Sequence, residues 1–354
     1  MMGDDVQTMR AWRTHEYGQP VEALRLDHVP IPTPGPGEIL IRVQGIPLNL
    51  NDLERITGGN MMVRPELPYA PGMEVMGIVD SCGDGASELA GRRVVAMTKG
   101  AHGGFAEYAI CPMTTAFEMP DSIPLPDAAA LFFPYHLAWL GLHDRAELQA
   151  GESVLIHAGA GGSGSAAIQL AKHAGAKVFA TAGSAAKVQL CSDLGADLAI
   201  NYNDDDFAPL VLAATNNQGV DVVFDNVGEA VMEASMKCTK YNGRYVMMGF
   251  ASNKVVADEK FLVPRRLMLG NFKLCGVMLS YADPATSAMI KSAMGWNFAS
   301  VELGASIMSK IVNLAETGVI RPVIGKQIAF EDLPTAMQAM ADRETVGRVV
   351  AVLR

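Results

Sequence analysis

The sequence has few cysteines and few basic residues, and each shortage excludes a class of protein. Its five cysteines are scattered, with no C-x-x-C pair that would indicate a redox dithiol or a zinc knuckle. Lysine and arginine total 28 against 38 acidic residues, giving a formal net charge of −10. Binding to nucleic-acid phosphates requires clustered basic side chains, so no nucleic-acid partner is expected. We expect reduced thiols and a cytoplasmic protein.

Long apolar runs and a targeting sequence are missing as well. The longest apolar run, Ala128 to Leu142, is shorter than the roughly 20 residues that span a bilayer and contains Pro134 and His136. The first residues, "MMGDDVQT", carry two acids where a signal peptide has basic residues and then an apolar core. We therefore expect neither a membrane segment nor a signal peptide.

The length and texture of the chain predict two domains. A chain of 354 residues exceeds the roughly 250 to 300 residues at which single cores stop growing. Its first third is rich in proline and glycine with short β-like runs, whereas short apolar strands alternate with helical segments from Leu131 onward. The alternation predicts βαβ units around a parallel sheet. The tail after Ser280 is predicted to rejoin the first domain.

A glycine-rich loop lies between a predicted strand and a predicted helix, within "VLIHAGAGGSGSAAIQLAKHAGAKVFATAGS". Gly159, Gly161 and Gly164 fit G-x-G-x-x-G, in which the glycines turn the chain, admit a pyrophosphate and let helix pack on strand. The helix N-terminus then faces the phosphates with unpaired N–H groups and the positive end of its dipole. The predicted dinucleotide contacts of this loop are Gly159, Gly161, Gly162, Ser163 and Gly164.

The next predicted strand ends without an acid. In NAD-binding sites a carboxylate about 20 residues after the loop accepts from the ribose 2′-OH and would repel a 2′-phosphate. That place holds "FATA", followed by Gly183, Ser184 and, one helical turn on, Lys187. Small residues, a hydroxyl and a cation favour NADP. The alternative makes Ser184 an N-cap and Lys187 a solvated helix residue.

Several blocks in fixed order carry a resemblance to a known family. The glycine fingerprint together with "LPYAPGMEVMGIV" is the specific part, and the accompanying segments are "MRAWRTHEYGQP", "PTPGPGEILIRV", "LNLNDLERITGG", "GGFAEYAICP", "LGADLAINY" and "VFDNVG". The chain resembles the zinc-independent medium-chain dehydrogenase/reductases, in particular the quinone oxidoreductase and zeta-crystallin group. The resemblance covers nearly the whole chain from Met9 and leaves Met1 to Thr8 as an unmatched extension.

The resemblance implies an α/β protein of two domains with the active site in the cleft. Residues 1–130 and 281–354 are expected to form a GroES-like, β-rich catalytic domain. Residues 131–280 are expected to form a Rossmann domain with a doubly wound parallel sheet that binds NADP.

The resemblance also implies a set of NADPH contacts. Relatives that use NADPH bind its 2′-phosphate through a lysine after the second strand, a tyrosine after the third and an arginine near the C-terminus. The matching residues are Lys187, Tyr202 and Arg343, with Ser184 beside them. Asn226 and Gly249 complete the predicted cofactor contacts.

Zinc-dependent relatives carry a cysteine and a histidine at positions where this chain has other residues. Asn49 and Asn51 occupy the first place and Met73 the second. These residues remove the thiolate and imidazole of a tetrahedral zinc site, so we predict that no metal is bound. Without a metal to polarise oxygen, the acceptor must already be electrophilic, as quinones and conjugated enones are.

Asn49 and Asp52 are the predicted catalytic residues. They match the family's N-x-x-D segment beside the nicotinamide, where an amide can hydrogen-bond a substrate oxygen. Their alternative role is a turn or a helix cap. Two departures from the family bear on quinone specificity, because Glu54 replaces the usual tyrosine and Leu137 the usual threonine.

The resemblance thus predicts an NADPH-dependent oxidoreductase that reduces a small quinone or enone. One alternative is an enoyl-thioester reductase, although the tyrosine that such enzymes use is missing from Asn49 to Glu66. Another is a crystallin-like or sensing protein that binds NADPH without useful turnover. Relatives are commonly dimers or tetramers, so we predict a homo-oligomer. We expect two subunits to pair through the segment "NFKLCGVML", which would then be an edge strand of the sheet. The alternative is that this segment forms an interior strand.

Overall fold

The computed structural model describes residues 7–59, 64–249 and 264–353, which divide into two compact units. The first unit falls within residues 1–132, 280–312 and 324–354, and the second within residues 133–279 and 313–323. Of the unmatched extension, only Gln7 and Thr8 lie among the described residues.

The segment 313–323 differs from its prediction, because the sequence places it with the first domain and the structure with the second unit. The side chain of Gln169 binds the main chain of this segment at Arg321. Gln169 Oε1 accepts from the Arg321 N–H at 2.8 Å, and Gln169 Nε2 donates to the Arg321 carbonyl at 3.0 Å. No local pattern in the sequence signals this contact.

Within its described residues, the first unit begins with seven strands and two α-helices. They are β1 (Thr8–Thr14), α1 (Pro20–Ala23), β2 (Leu24–Pro30), β3 (Glu38–Pro47), α2 (Leu50–Thr57), β4 (Glu74–Cys82), β5 (Arg93–Met97), β6 (Tyr108–Pro112) and β7 (Ala116–Glu118).

The second unit alternates strands and helices. Its elements are α3 (Phe133–Trp139), β8 (Ser153–Ile156), α4 (Gly162–His173), β9 (Lys177–Ala182), α5 (Ala185–Asp193), β10 (Leu198–Asn201), α6 (Phe207–Ala214), β11 (Val220–Asp225), α7 (Glu229–Lys237), β12 (Thr239–Met247), α8 (Pro264–Gly270) and β13 (Lys273–Gly276).

The remaining elements form the C-terminal part of the chain. They are β14 (Tyr281–Ala282), α9 (Pro284–Met294), β15 (Ala299–Ser300), α10 (Val301–Glu316), β16 (Ile324–Ala329), α11 (Leu333–Ala341) and β17 (Arg348–Val352). No helix within the described ranges is both long and apolar enough to cross a membrane.

The first unit is built on a mostly antiparallel sheet in the order β16-β17-β3-β4-β5-β7, with β6 also paired to β3. The C-terminal strand β17 lies next to β3, with Val350 opposite Pro47. Apolar side chains from β3, β4 and β5, including Ile39, Ile41 and Val75, form a fully buried core. This core fixes the start of α2, where Asn49 and Asp52 lie.

The second unit contains a six-stranded parallel sheet in the order β10-β9-β8-β11-β12-β13. Counted from β8, this is the strand order 3-2-1-4-5-6 of a doubly wound dinucleotide-binding fold. The predicted α/β class with a doubly wound parallel sheet is confirmed. The strand order reverses between β8 and β11, and ligands of such sheets bind beyond the carboxyl ends of the strands at that point.

Candidate dinucleotide-binding site

The glycine loop connects β8 to α4 at the point where the strand order reverses. The Gly159 N–H donates to the Thr181 carbonyl at 2.9 Å, and the Gly161 N–H closes a turn onto the Ala158 carbonyl, also at 2.9 Å. Ala158 has a φ of 53°, in the left-handed region that non-glycine residues seldom adopt. The loop is therefore a tight, strained turn at the carboxyl end of β8.

Two of the loop glycines are required by close packing. A Cβ on Gly164 would lie closer than 3.0 Å to the Ala158 carbonyl and to the Cα of Gly159. A Cβ on Gly159 would lie 2.8 Å from the sulfur of Cys191. A side chain at either position would push the helix or the loop out of place, which is the packing role that the fingerprint predicts.

Helix α4 presents its N-terminus at the loop. Its N-cap is Gly161, which has no side chain to cover the N–H groups of Gly162 and Ser163. Orphan N–H groups and the positive end of the helix dipole form an anion site when they lie at a glycine loop. The geometry suits a pyrophosphate.

Three of the residues predicted around a 2′-phosphate, Ser184, Lys187 and Tyr202, lie at or beside the turn between β9 and α5. Ser184 is the N-cap of α5 and its Oγ accepts from the Lys187 N–H at 3.3 Å, so its predicted capping alternative is present in the structure. A Cβ on Gly183 would lie closer than 3.0 Å to the Tyr202 hydroxyl, which places that ring beside the turn. Asn203 Nδ2 donates to the Gly183 carbonyl at 2.8 Å.

Asn226 and Gly249 meet at the ends of β11 and β12. Asn226 Nδ2 donates to the His157 carbonyl at 3.1 Å, and the Gly249 N–H donates to the Asp225 carbonyl at 3.2 Å. A Cβ on Gly249 would lie closer than 3.0 Å to the Asn226 carbonyl. Both residues therefore lie at the carboxyl edge of the sheet, on the side of the glycine loop.

Arg343 belongs to the first unit. It follows α11 with a φ of 62° and donates its N–H to the Met340 carbonyl at 3.2 Å. Its predicted contact with the cofactor stays a prediction.

A group of buried polar residues lies behind the loop, and sequence reasoning assigned none of them to the site. His157 is fully buried, with Nδ1 2.9 Å from Thr181 Oγ1 and Nε2 2.7 Å from Ser235 Oγ. Burial lowers the pKa of His157 to about 3, so the imidazole is neutral. The only local signal was a polar residue at the end of an apolar strand, directly before the loop.

Asp225 is a second buried polar residue that the sequence reasoning passed over. Its carboxylate accepts from the Val227 and Gly228 N–H groups at 2.8 and 2.9 Å, and from the Tyr245 hydroxyl at 2.5 Å. Burial raises the pKa of Asp225, and the hydrogen bonds from these three donors oppose that rise. The contacts fix the turn that carries Asn226.

The predicted catalytic residues lie in the first unit, and both are buried. Both hydrogens of the Asn49 amide have partners, because Nδ2 lies 3.1 Å from the Pro47 carbonyl and 3.2 Å from Glu74 Oε2. Oδ1 accepts from Arg348 at 2.9 Å. Arg348 is a pure donor and the other two partners are acceptors, so the amide orientation follows from the hydrogen bonds.

Asp52 holds the start of α2 and the neighbouring loop together. Its Oδ1 accepts from the N–H groups of Gly72 and Met73 at 3.2 and 3.0 Å, and its Oδ2 accepts from the Asn49 N–H at 3.3 Å. Burial raises the pKa of Asp52, opposed first by the charge of Arg55. The predicted alternative of a helix cap is thus present at Asn49 and Asp52, and a role in catalysis stays a prediction.

Two family models match the chain. The alcohol dehydrogenase GroES-like domain matches residues 35–121, and the zinc-binding dehydrogenase model matches residues 162–295. Within the described ranges, no three His, Cys, Asp or Glu side chains are grouped as metal ligands.

Curated proteins and solved structures extend this likeness over the whole chain. The rat quinone oxidoreductase is 30% identical over 99% of this chain and 100% of its own length. The mouse synaptic vesicle membrane protein VAT-1 homolog is 31% identical over 91% of this chain and 78% of its own. The Escherichia coli quinone oxidoreductase complexed with NADPH superposes with a TM-score of 0.84 at 26% identity, covering 97% and 100% of the two chains.

Proposed function

Because the chain belongs to the medium-chain dehydrogenase/reductases and to their quinone oxidoreductase group, we propose that this oxidoreductase transfers a hydride from NADPH to a quinone or a conjugated enone, without a metal. When bound, NADPH supplies the hydride. The reduced acceptor is a delocalised phenolate or enolate, which water or a weak donor can protonate. The protein then has mainly to orient the two reactants and exclude bulk water.

The observation that carries this proposal is the fit of the β8–α4 loop to a dinucleotide. Gly164 and Gly159 let helix and loop pack without side chains, and the bare N-terminus of α4 lies at the reversal of the strand order. Gly161, Gly162 and Ser163 would hold the pyrophosphate through main-chain N–H groups. Asn226 and Gly249 would line the same edge of the sheet.

Preference for NADPH is supported by the turn after β9. No carboxylate occurs between Val178 and Lys187, so nothing in that stretch repels a 2′-phosphate. Ser184, Lys187 and Tyr202 would hold the phosphate. The Tyr202 side chain is 47% exposed and lies beside Gly183, where its hydroxyl can donate to a bound anion.

The buried setting of Asn49 and Asp52 restricts how they can act. Both Asn49 amide hydrogens have partners within the protein, so a direct donor bond to a substrate oxygen is not available in this arrangement. We propose instead that Asn49 and Asp52 are positioning residues, which fix the start of α2 and the loop that carries Met73. Metal independence rests on Asn49, Asn51 and Met73 at the positions of zinc ligands in relatives.

A homo-oligomer paired through the edge of the parallel sheet remains part of the proposal. The strand β13, from the segment "NFKLCGVML", pairs with β12 and is the last strand of the sheet among the residues that the structure describes. Unpaired main-chain groups on an edge strand are a template for pairing with a second chain.

The oxidation of NADPH with four acceptors tests the function. We expect turnover with 1,4-benzoquinone, 9,10-phenanthrenequinone or a simple enone, and little with crotonyl-CoA. Turnover with crotonyl-CoA alone would identify an enoyl-thioester reductase. Tight binding of NADPH without turnover of any acceptor would identify a non-catalytic binding protein.

A further inference from the structure

His157 lies where the strand order of the parallel sheet reverses, directly before the strained residue of the glycine loop. Its main-chain N–H donates to the Phe224 carbonyl at 3.1 Å, and its carbonyl accepts from Asn226 Nδ2, also at 3.1 Å. Its imidazole lies between Thr181 and Ser235. One residue thus connects β8 to β9, to β11 and to α7.

The direction of each hydrogen bond follows from the available protons. The Ser235 hydroxyl also lies 2.7 Å from the Val231 carbonyl, which can only accept, so its proton points there. The Nε2 of His157 must then donate to Ser235 Oγ, and Nδ1 must accept from the Thr181 hydroxyl. This is one tautomer of a neutral imidazole, assigned from its partners.

Thr181 holds the loop on both sides of Ala158. Its side chain binds the imidazole of His157, while its carbonyl accepts from the Gly159 N–H at 2.9 Å. Ala158 between them has a φ of 53°. Left-handed backbone is unfavourable at a non-glycine residue and persists only where its surroundings fix it. The contacts on both sides of Ala158 meet that condition.

We infer that His157 is a positioning residue of the dinucleotide site, whose neutral imidazole, bridged between Thr181 and Ser235, holds the Ala158 turn in the shape that receives a pyrophosphate. The inference rests on the proposed binding of NADPH. It adds a determinant of cofactor affinity whose own side chain is fully buried. Because the pyrophosphate is common to NADPH and NADH, the effect must be equal for both.

Four variants test the inference. His157→Phe keeps an aromatic ring and removes both hydrogen bonds, His157→Gln restores a donor and an acceptor, and Thr181→Val removes one hydroxyl at nearly constant volume. The matched control is Ser153→Ala, which removes a partly buried polar contact with Asp221, 2.8 Å away, at the opposite end of β8.

We expect Thr181→Val, which loses one buried hydrogen bond, to raise the Kd of both NADPH and NADH by about tenfold. His157→Phe loses both bonds of the imidazole, so its Kd values should rise by at least as much. His157→Gln should recover part of the affinity, Ser153→Ala should leave it unchanged, and the KM of the acceptor should stay the same in all four. Unchanged Kd values in His157→Phe and Thr181→Val, with only thermal stability reduced as in Ser153→Ala, would overturn the inference. If His157→Phe does not fold, Thr181→Val decides.

Hydrogen exchange without cofactor separates this inference from the proposed function. The Gly159 and Gly161 amides should exchange faster in Thr181→Val than in the wild type, and not in Ser153→Ala. If the wild type binds neither dinucleotide while the two amides still exchange faster in Thr181→Val, the proposed function is refuted and the role of His157 and Thr181 in positioning the turn is supported. If the wild type binds NADPH and the two amides exchange equally fast in Thr181→Val and in the wild type, the positioning role alone is refuted.

Discussion

Replacing Arg348 with methionine should destabilise the first unit strongly. Arg348 donates to Glu74 Oε2 at 2.7 Å and to Asn49 Oδ1 at 2.9 Å, and the three side chains are 7%, 1% and 3% exposed. Removing one partner of a buried charge pair costs about 3 to 5 kcal/mol, because the other charge stays buried. The Asn49 amide still donates to Glu74, so we expect the lower end, about 3 kcal/mol.

A double-mutant cycle isolates the pair. Glu74→Gln removes the charge and keeps an acceptor for Arg348, and the double variant Arg348→Met/Glu74→Gln contains neither charge of this pair. We expect the double variant to be more stable than the sum of the single losses by about 2 kcal/mol, within the range for residues in one network. Hydrogen exchange of the β3 and β4 amides measures the free energy of opening of this unit separately from the other.

Two results would refute this reasoning. A loss below about 1 kcal/mol in Arg348→Met would show that the guanidinium contributes no more than a surface ion pair. Strict additivity in the cycle would show that Arg348 and Glu74 act independently, and the buried network would then not be the means by which Asn49 is held.

Three further predictions concern the cofactor and the metal. Lys187→Ala should weaken NADPH binding by about ten- to a hundredfold, because a hydrogen bond to a charged group is lost, and should leave NADH binding unchanged. The loss of NADPH affinity should be smaller at high salt. Equal losses of affinity for NADPH and NADH in titrations would contradict this prediction. Gly164→Ala should abolish measurable binding of both dinucleotides, because its Cβ would meet the Ala158 carbonyl; retained affinity in the same titration would contradict the close packing. Chelation should leave turnover unchanged, and stoichiometric zinc by elemental analysis whose removal abolishes activity would contradict a metal-free mechanism.

The parts that the sequence predicted are those whose signal is local. The α/β class followed from short apolar strands alternating with helical segments, and the structure confirms it with the six-stranded parallel sheet. The glycine loop was readable because Gly159, Gly161 and Gly164 occur within six residues, and close packing leaves no room for a Cβ at Gly159 or Gly164. Apolar residues at a regular spacing, and glycines that close packing requires near one another in the chain, form patterns that can be recognised in a single sequence.

The parts that the sequence could not predict depend on partners far apart in the chain. Arg348 reaches Asn49 across 299 positions, and His157 reaches Ser235 across 78. Neither pair has a spacing that any motif contains, because the fold brings the residues together. Sequence reasoning could not place Pro47, Glu74 and Arg348 beside the Asn49 amide, where two of them accept its hydrogens and Arg348 donates to its oxygen. The catalytic role of Asn49 stays a prediction.

The two buried networks share a physical logic. Apolar packing in the two cores is non-directional, so it fixes the distance between elements better than the orientation of one turn. A buried hydrogen bond is directional, and leaving it unmade costs about 1 to 3 kcal/mol, so Asn49 and His157 each penalise small rotations of the element that they hold. The glycines of the loop have no side chains with which to fix its shape. Its orientation therefore has to come from outside the motif, and the bridge from His157 to Thr181 and Ser235 supplies it.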